Sequence, residues 1–362
     1  VRDEKGQKMS KSKGNVIDPL ELINEYGADP LRFTLISMAS PGRDVKLSKD
    51  RVVGYRNFIT KISNANNFLE LNKCFYKKNI NIEKIDLKIN QWIYAEFKKT
   101  TALVDKHLED FRFDEASRVI YNFVWRSYCD WYLEFLKPIF NSKNMSEVKE
   151  VRLFSSFMMA NILKLLHPFI PFFTESVWSK NNYKKVFKNN LISAEWPDYK
   201  KLSKFNKNYD DINGIIEFIS SIRSTKAELK VTPKLFCDIS FSEKSSKLNL
   251  LVKKNITLVK QVGRINNILQ NNETNKNAIK ILVLNEKVSL RFSEDIDFAS
   301  QKQNIMQKLT NLEKQTNIIK NKLKNKSYLK NAPKDIVKND KRLLEELTIE
   351  DEKLRSIVTS IN

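Results

Sequence analysis

Residues 89–104 read INQWIYAEFKKTTALV, and this stretch decides the fold class. Its mainly apolar positions recur every three or four residues, which is the spacing of one face of an α-helix. These positions are Ile89, Trp92, Ile93, Phe97, Thr100, Leu103 and Val104. A helix with such a face is stable only when that face packs against other helices. The stretch therefore predicts a helical bundle.

The same spacing recurs on both sides of this stretch, within residues 50–180. It is found in three further segments: Val52 to Phe68, Ala116 to Ser127, and Leu153 to Leu166. Four or five such helices make a bundle, which we place at 51–200. Its aromatic residues are expected to fill the core, and Met158, Met159, Phe169, Phe172 and Phe173 are expected to pack there too.

The pattern changes after Trp196-Pro197. A helix is predicted at about 209–228 and another near 245–260, with strands at 235–241, 279–284 and 287–292. We expect residues 201–295 to form a small α/β linking module.

The last 67 residues change again. Ile305, Leu309, Leu312, Thr316, Ile319 and Leu323 alternate steps of four and three, which is the seam of a coiled coil. After Asn331-Ala332-Pro333 a second stripe follows: Leu343, Leu347, Leu354, Val358 and Ile361. Residues 296–362 therefore predict a C-terminal antiparallel coiled-coil hairpin, and the fold class is mainly α.

Composition favours a polyanionic partner. The 362 residues include 64 Lys and Arg against 43 Asp and Glu, a formal net charge of +21. Basic side chains that neutralise phosphates release bound counterions, which favours nucleic-acid binding. A lysine-rich composition imposed by the genome is the alternative explanation of this charge.

The cysteines and histidines argue against a metal site. Cys74, Cys129 and Cys237 are far apart in sequence, and His107 and His167 are the only histidines. Tetrahedral zinc needs clustered ligands, so no zinc is expected in this segment. Isolated cysteines, and the lack of an apolar run of 18 residues, favour a cytoplasmic protein that does not contact a membrane.

Residues 6–15 read GQKMSKSKGN and carry the sequence's strongest chemical signal. Three lysines and two serines lie in a short segment between two glycines. Ammonium and hydroxyl groups in such a loop suit a triphosphate, because they can neutralise the charge that develops on leaving pyrophosphate. An exposed basic loop without a role is the alternative.

Lys8-Met9-Ser10-Lys11-Ser12 resembles the second signature of class I aminoacyl-tRNA synthetases. Residues 26–33 (YGADPLRF) and 165–172 (LLHPFIPF) resemble later segments of the same family, so the resemblance covers essentially the whole chain. Residues 37–48 (SMASPGRDVKLS), 54–58 (GYRNF) and the terminal hairpin are similar to the valyl members of that class. An isoleucyl-type synthetase and a non-catalytic tRNA-binding protein are the alternatives.

The resemblance implies a role for each residue of the loop. Lys11 would meet the ATP phosphates, and Lys8 would anchor the loop and support the transition state. Met9, Ser10 and Ser12 would shape the ATP-binding loop. The implied reaction joins valine and ATP, with Mg²⁺, into valyl-adenylate and then transfers the valyl group to tRNA(Val).

Two parts of such an enzyme have no counterpart in the sequence: the histidine-containing first signature and the editing domain. We therefore expect the chain to be the C-terminal part of a longer monomeric protein. Residues 1–50 would end its catalytic domain and carry the signature loop and the stem-contact segment. The missing N-terminal catalytic and editing domains would be its partners, and the chain alone is expected to be inactive.

Candidate tRNA contacts lie in two regions. In and before the bundle, Arg43, Arg56, Asn57 and Arg118 could read the anticodon, with structural salt bridges as the alternative. Residues 302–342 hold twelve basic residues against three acidic ones. Lys320, Lys322, Lys324 and Lys326 are the candidates there for contact with the tRNA backbone.

Overall fold

The computed structural model divides into two compact units, Val1–Ile212 and Asn213–Asn362. The residues it describes are 1–3, 5–77, 80–81, 84–197, 209–242, 246–269, 278–292 and 298–361. Within these ranges, the side chains of Lys11, Phe298, Lys326, Lys334, Asp335 and Ser360 lie outside the description. The described part is mainly helical with one four-stranded sheet, which confirms the predicted fold class.

The first unit begins with a short 3-10 helix, Lys11–Lys13, followed by α1 (Pro19–Tyr26) and α2 (Ala28–Met38). The Asp18 carboxylate caps α1 by accepting the N–H of Leu20 at 2.8 Å. Gly27, with φ of 95°, separates the two helices in a conformation that only glycine adopts readily. A small apolar cluster beneath them contains Leu22, Leu31, Leu47 and Val52.

The bundle follows as predicted. Its helices are α3 (Lys49–Leu71), α4 (Lys88–Glu109), α5 (Phe113–Asn122), α6 (Leu133–Phe140) and α7 (Met145–Leu166). The predicted face of α4 is buried, from Ile89 to Val104, except that Leu103 is 47% exposed.

The helix between α5 and α6 is wider than an α-helix. Residues Phe123–Tyr132 form a π-helix, and the N–H of Leu133 donates to the carbonyl of Tyr128, five residues earlier. Phe123, Tyr128, Tyr132 and Phe135 are buried, as expected of core aromatics, whereas Tyr121, Trp125 and Trp131 are partly exposed.

After α7 the chain turns at Pro168 into α8 (Pro171–Lys180), α9 (Tyr183–Phe187) and a 3-10 turn (Leu191–Ser193). Met158, Met159 and Phe169 are buried as expected. The prediction for Phe172 is wrong, because its side chain is 67% exposed.

Helix α10 (Tyr209–Glu228) leads into the second unit, with the bounds that the sequence predicts. The sheet contains β1 (Cys237–Phe241), β2 (Ile265–Leu269), β3 (Ala278–Val283) and β4 (Glu286–Phe292), in the order β2-β1-β4-β3. Strand β2 pairs in parallel with β1, and the other pairs are antiparallel. Two helices, α11 (Lys247–Lys254) and α12 (Ile256–Gly263), replace the single predicted one.

The chain ends in a helical hairpin made of α13 (Phe298–Lys324), α14 (Lys326–Asn331) and α15 (Lys334–Ser360). Its two long helices are antiparallel, since the Lys302 ammonium donates to the carbonyl of Ile361 at 3.3 Å. The buried seam contains Ile305, Leu309, Leu312, Ile319, Leu347, Leu354 and Ile357. Leu343, predicted for the seam, is 38% exposed.

Candidate phosphate and nucleic-acid interface

The segment before the lysine-rich loop of residues 6–15 is hydrogen-bonded to the strand-like segment at 45–47. The N–H of Arg2 donates to Val45 at 2.7 Å, and the N–H of Leu47 donates to the carbonyl of Arg2 at 3.0 Å. The Arg2 guanidinium also pairs with Asp44 at 2.5 Å. Gly6, with φ of 77°, turns the chain back toward Lys8. Residues 2–3 and 5–8 therefore form a fixed platform for the loop.

The side chain of Asn15 stabilises the loop through two hydrogen bonds. Its Oδ1 accepts the N–H of Ser10 at 2.9 Å, and its Nδ2 donates to the Asp3 carboxylate at 2.9 Å. The Asp3 carboxylate also accepts the N–H of Gln7 at 2.7 Å. These bonds, that of Asn15 first, lower the pKa of Asp3 from its ordinary value. Sequence reasoning missed Asn15 as a positioning residue, because its partner lies 12 positions away.

The tip of the loop is short and its two sides are anchored. Met9 and Ile17 pack against the apolar cluster under α1 and α2. Between them, the Ser10 and Ser12 hydroxyls lie 3.1 Å apart, and Gly14 turns the chain with φ of 63°. Lys8 and Lys13 are exposed, whereas the Lys11 side chain lies outside the described residues. The loop therefore places its two serine hydroxyls side by side, with exposed lysines before and after them.

The segment after the loop is tied to the bundle by two acidic side chains. Asp29 accepts the N–H of Phe173 at 2.6 Å, and burial raises the pKa of Asp29. Asp114 accepts the Ser40 hydroxyl at 2.7 Å and is gripped by the Arg112 guanidinium at 3.0 Å. The Arg112 hydrogen bond holds the pKa of Asp114 well below its usual range. Sequence reasoning missed both carboxylates.

The candidate anticodon-reading residues lie on three separate elements. Arg43 is exposed in the turn after α2, next to Gly42 with φ of 72°. Arg56 and Asn57 are exposed neighbours on α3, and the Arg56 guanidinium lies 5.7 Å from the centre of the Tyr26 ring. Arg118 on α5 is paired with Glu115, its Nε at 3.0 Å from the carboxylate. Arg56 and Asn57 are adjacent on α3, and the Ser40–Asp114 hydrogen bond at 2.7 Å joins the turn that carries Arg43 to the start of α5.

The hairpin leaves basic side chains without acidic partners. Lys320, Lys322 and Lys324 are exposed on α13, and no described carboxylate pairs with any of them. Two of the hairpin's acidic side chains have other partners, since Glu313 pairs with Arg355 and Asp340 accepts the Tyr328 hydroxyl at 2.6 Å. These three lysines can therefore meet phosphates without first breaking an ion pair with a described carboxylate. Lys326 begins α14, and its side chain lies outside the description.

Three known sequence families match the chain, one after another. Residues 1–48 match the family described as tRNA synthetases class I (I, L, M and V). Residues 90–241 match the anticodon-binding domain of tRNA ligase. Residues 297–362 match the valyl tRNA synthetase tRNA binding arm.

Two similar whole proteins are both valine–tRNA ligases. The chain is 45% identical over 343 residues to a valine–tRNA ligase of Pelagibacter ubique, and 38% identical over 355 residues to one of Rhizobium meliloti. These alignments cover 94% and 98% of the chain. The chain belongs to the class I aminoacyl-tRNA synthetases. Among these synthetases, its relatives are the valine–tRNA ligases, as the sequence predicts.

The chain spans 39% of the length of the Pelagibacter synthetase and 37% of that from Rhizobium. Among solved structures, this synthetase chain is similar to the LeuRS of Agrobacterium radiobacter K84, solved as a ternary complex with tRNA and LeuAMS. That likeness has a TM-score of 0.43 and 20% identity, and covers 55% of this chain and 24% of the other.

In the described ranges of this chain, no group of three or more His, Cys, Asp or Glu side chains could hold a metal ion. None of the described helices combines the length and apolar character that crossing a bilayer requires.

Proposed function

We propose that this chain acts as part of a valine–tRNA ligase that attaches valine to tRNA(Val) at the expense of ATP. The observation that carries the proposal is the homology to valine–tRNA ligases over 94–98% of the chain. Because the chain spans less than half of those proteins, the reaction belongs to a longer enzyme. Its other catalytic and editing domains would act beside these residues, in a cytoplasmic monomer.

In the first step the valine carboxylate attacks the α-phosphorus of ATP, and the bond to the β-phosphate oxygen breaks. Negative charge then grows on the leaving pyrophosphate, which Mg²⁺ accompanies. Lys11 and Lys8 would neutralise that charge, while Ser10, Ser12 and Met9 would shape the loop around the phosphates. In the second step a ribose hydroxyl at the 3′ end of tRNA attacks the valyl carbonyl, and AMP leaves.

The geometry of the loop supports this role. Asn15 and the packed side chains of Met9 and Ile17 fix its two sides, while Lys8 and Lys13 remain exposed. Stabilising a transient charge requires groups that are already positioned when the charge forms. A loop anchored at both sides and basic at its tip meets that requirement.

The remaining residues would hold tRNA. Arg43, Arg56, Asn57 and Arg118 are proposed contacts of the anticodon-binding part, and Lys320, Lys322, Lys324 and Lys326 of the arm. This division assigns 1–50 to the end of the catalytic domain, 51–200 to the bundle, 201–295 to a linking module and 296–362 to the arm. No zinc is proposed in any of these segments.

The loop can be tested in a complete enzyme. The corresponding part of the Pelagibacter ubique valine–tRNA ligase would be replaced by this chain, and valine-dependent ATP–pyrophosphate exchange measured. Lys11→Ala should lower the exchange rate by about 100-fold or more, the usual effect of removing one transition-state donor. Lys5→Ala, at an exposed lysine of the neighbouring turn, is the matched control and should leave the rate unchanged. Equal rates for Lys11→Ala and the parent would refute the role of the loop.

A further inference from the structure

The first unit contains a cleft that the proposed reaction does not use. It lies along α8 and the turn that follows α9, and it has a volume of about 530 Å³. His167, Phe172, Lys184 and Ile192 are among the residues that line it. Sites for small ligands have volumes of roughly 300–1,000 Å³, so the cleft can hold a group the size of a nucleotide.

One wall of the cleft is an exposed aromatic ring on a fixed backbone. Phe172 is 67% exposed, and Ile192, which also lines the cleft, is 77% exposed. Phe172 follows Pro171 at the start of α8, and the N–H of its neighbour Phe173 is held by Asp29 at 2.6 Å. The ring therefore faces water although its main chain cannot move freely. Such a ring favours a flat partner that stacks on it.

His167 supplies a hydrogen-bond acceptor to the lining. Its Nδ1 lies 2.8 Å from the Thr174 hydroxyl. The same hydroxyl lies within hydrogen-bond distance of two backbone carbonyls, those of Ile170 at 2.8 Å and Pro171 at 3.2 Å. In the tautomer in which the hydroxyl donates to a carbonyl and Nδ1 donates to the hydroxyl, Nε2 is the acceptor of the neutral ring. Burial lowers the pKa of His167 and so favours the neutral form.

The rim of the cleft is basic. Residues 179–190 contain four lysines and no acidic residue. Lys184, Lys185 and Lys188 are exposed, whereas Lys180 pairs with Glu70 at 3.2 Å. The one carboxylate in the lining, Glu175, accepts the N–H of Leu191 at 3.0 Å. A phosphate beside Lys184 would thus find positive charge nearby.

The geometry points to a binding site for one unpaired RNA nucleotide, with its base stacked on Phe172 and its phosphate beside Lys184. An amino group on the base would donate to His167 Nε2, so cytosine binds better than uracil, which carries a carbonyl at that position. The inference deepens the proposed tRNA binding and rests on it. It adds a base-binding cleft on α8 of the first unit.

Binding of short RNA to the intact 362-residue chain tests the cleft. Fluorescence anisotropy would compare three labelled hexanucleotides: six cytidines, six uridines, and a backbone of six abasic sites. The cytidine hexamer should bind about tenfold more tightly than the abasic one, which is the gain expected from one stacked base. The uridine hexamer should bind with an affinity between the other two.

Variants separate stacking from charge. Phe172→Ala should reduce cytidine binding to the abasic level, and Phe172→Tyr, which keeps the ring, should not. Phe75→Ala removes another ring that is 60% exposed and should change nothing. Lys184→Gln should weaken all three hexamers and flatten their salt dependence by about one ion. Lys143→Gln, at an exposed lysine between α6 and α7, is its control.

Equal binding of the cytidine and abasic hexamers, or full cytidine affinity in Phe172→Ala, would overturn the inference. The same samples titrated with tRNA(Val) keep the two proposals apart. If the chain binds tRNA but shows no preference for bases, only the cleft is refuted. If it binds neither tRNA nor hexamers, the proposed tRNA binding fails as well.

Discussion

Tyr128 and Tyr132, one turn apart in the π-helix, differ in the hydrogen bonding of their hydroxyls. Tyr132 donates its hydroxyl to Asn90 at 2.8 Å, and Asn90 in turn donates to Glu150 at 2.8 Å. Glu150 also accepts the N–H of Leu87 at 3.0 Å, at the start of α4. The buried Tyr128 hydroxyl, in contrast, has no hydrogen-bond partner among the described residues.

This difference predicts opposite effects of the same substitution. Tyr132→Phe leaves the buried Asn90 oxygen without a donor and should lower the free energy of unfolding by about 1–3 kcal/mol. Tyr128→Phe removes an unpaired hydroxyl and should leave the stability unchanged or raise it by up to about 1 kcal/mol. Urea unfolding of both variants checks this, and a greater loss in Tyr128→Phe would contradict it.

The lowered pKa of Asp114 predicts that the free energy of unfolding depends on pH. Its folded pKa lies below the ordinary unfolded value of about 3.9. Its contribution to stability is therefore complete above that value and is lost as the pH falls through the folded pKa. At pH 7 Asp114→Asn should cost about 1–2 kcal/mol, a modest figure because Arg112 is partly exposed.

The control for Asp114 is Asp110→Asn, at an exposed residue between α4 and α5. Its unfolding free energy should match that of the parent at every pH. The deficit of Asp114→Asn should shrink in acid, where the parent loses the same interactions. A deficit that stays constant down to the acid-unfolding limit would contradict the assignment.

At the scale of elements, hydrophobic spacing predicted the helices well. The spacing reports which side chains can share a buried face, and α4, α10 and the α13 seam follow it. The spacing did not predict strand β2, which forms because of its pairing with β1. Strand β2 exposes most of its short sequence, Ile-Asn-Asn-Ile-Leu, and so shows no apolar alternation.

Some residues of the candidate site could likewise be identified from the sequence, and others could not. The lysines of the loop and of α13 could be named from the sequence because their residue types and local spacing carry the signal. Asn15 and Asp114 could not, because their meaning lies in partners that only the fold brings close: Asp3, and Ser40 74 positions away. Phe172 was predicted to lie in the core because aromatic residues usually do. Its sequence context does not show that its side chain faces solvent.

The hairpin seam supplies a prediction for an element. Leu354 is 2% exposed, and Leu343, on the same helix, is 38% exposed. Leu354→Ala should lower the unfolding free energy by about 2–4 kcal/mol, since it removes buried methyl groups and leaves a cavity. Leu343→Ala should cost less than about 1 kcal/mol. Chemical denaturation followed by circular dichroism measures both, and equal losses would contradict the seam.

In the whole molecule, an anchored basic loop precedes the helical elements that we propose hold tRNA. The positive charge of the chain is concentrated where acidic residues are few, as on α13. Phosphate contacts of this kind make affinity fall steeply with salt, by about 0.7–0.9 logarithmic units per contact for each tenfold rise in salt. Salt dependence therefore measures how many phosphates the chain neutralises.

Binding of tRNA(Val) to the intact chain across a salt series is the most direct test. The chain should bind, and changing Lys320, Lys322, Lys324 and Lys326 to glutamine should weaken binding and lower the salt slope by about 3. Glutamine at four exposed lysines of the α/β module, Lys230, Lys234, Lys247 and Lys253, gives the same charge change as a control and should leave the slope nearly unchanged. No binding by the parent chain, or the same slope in both variants, would contradict the account.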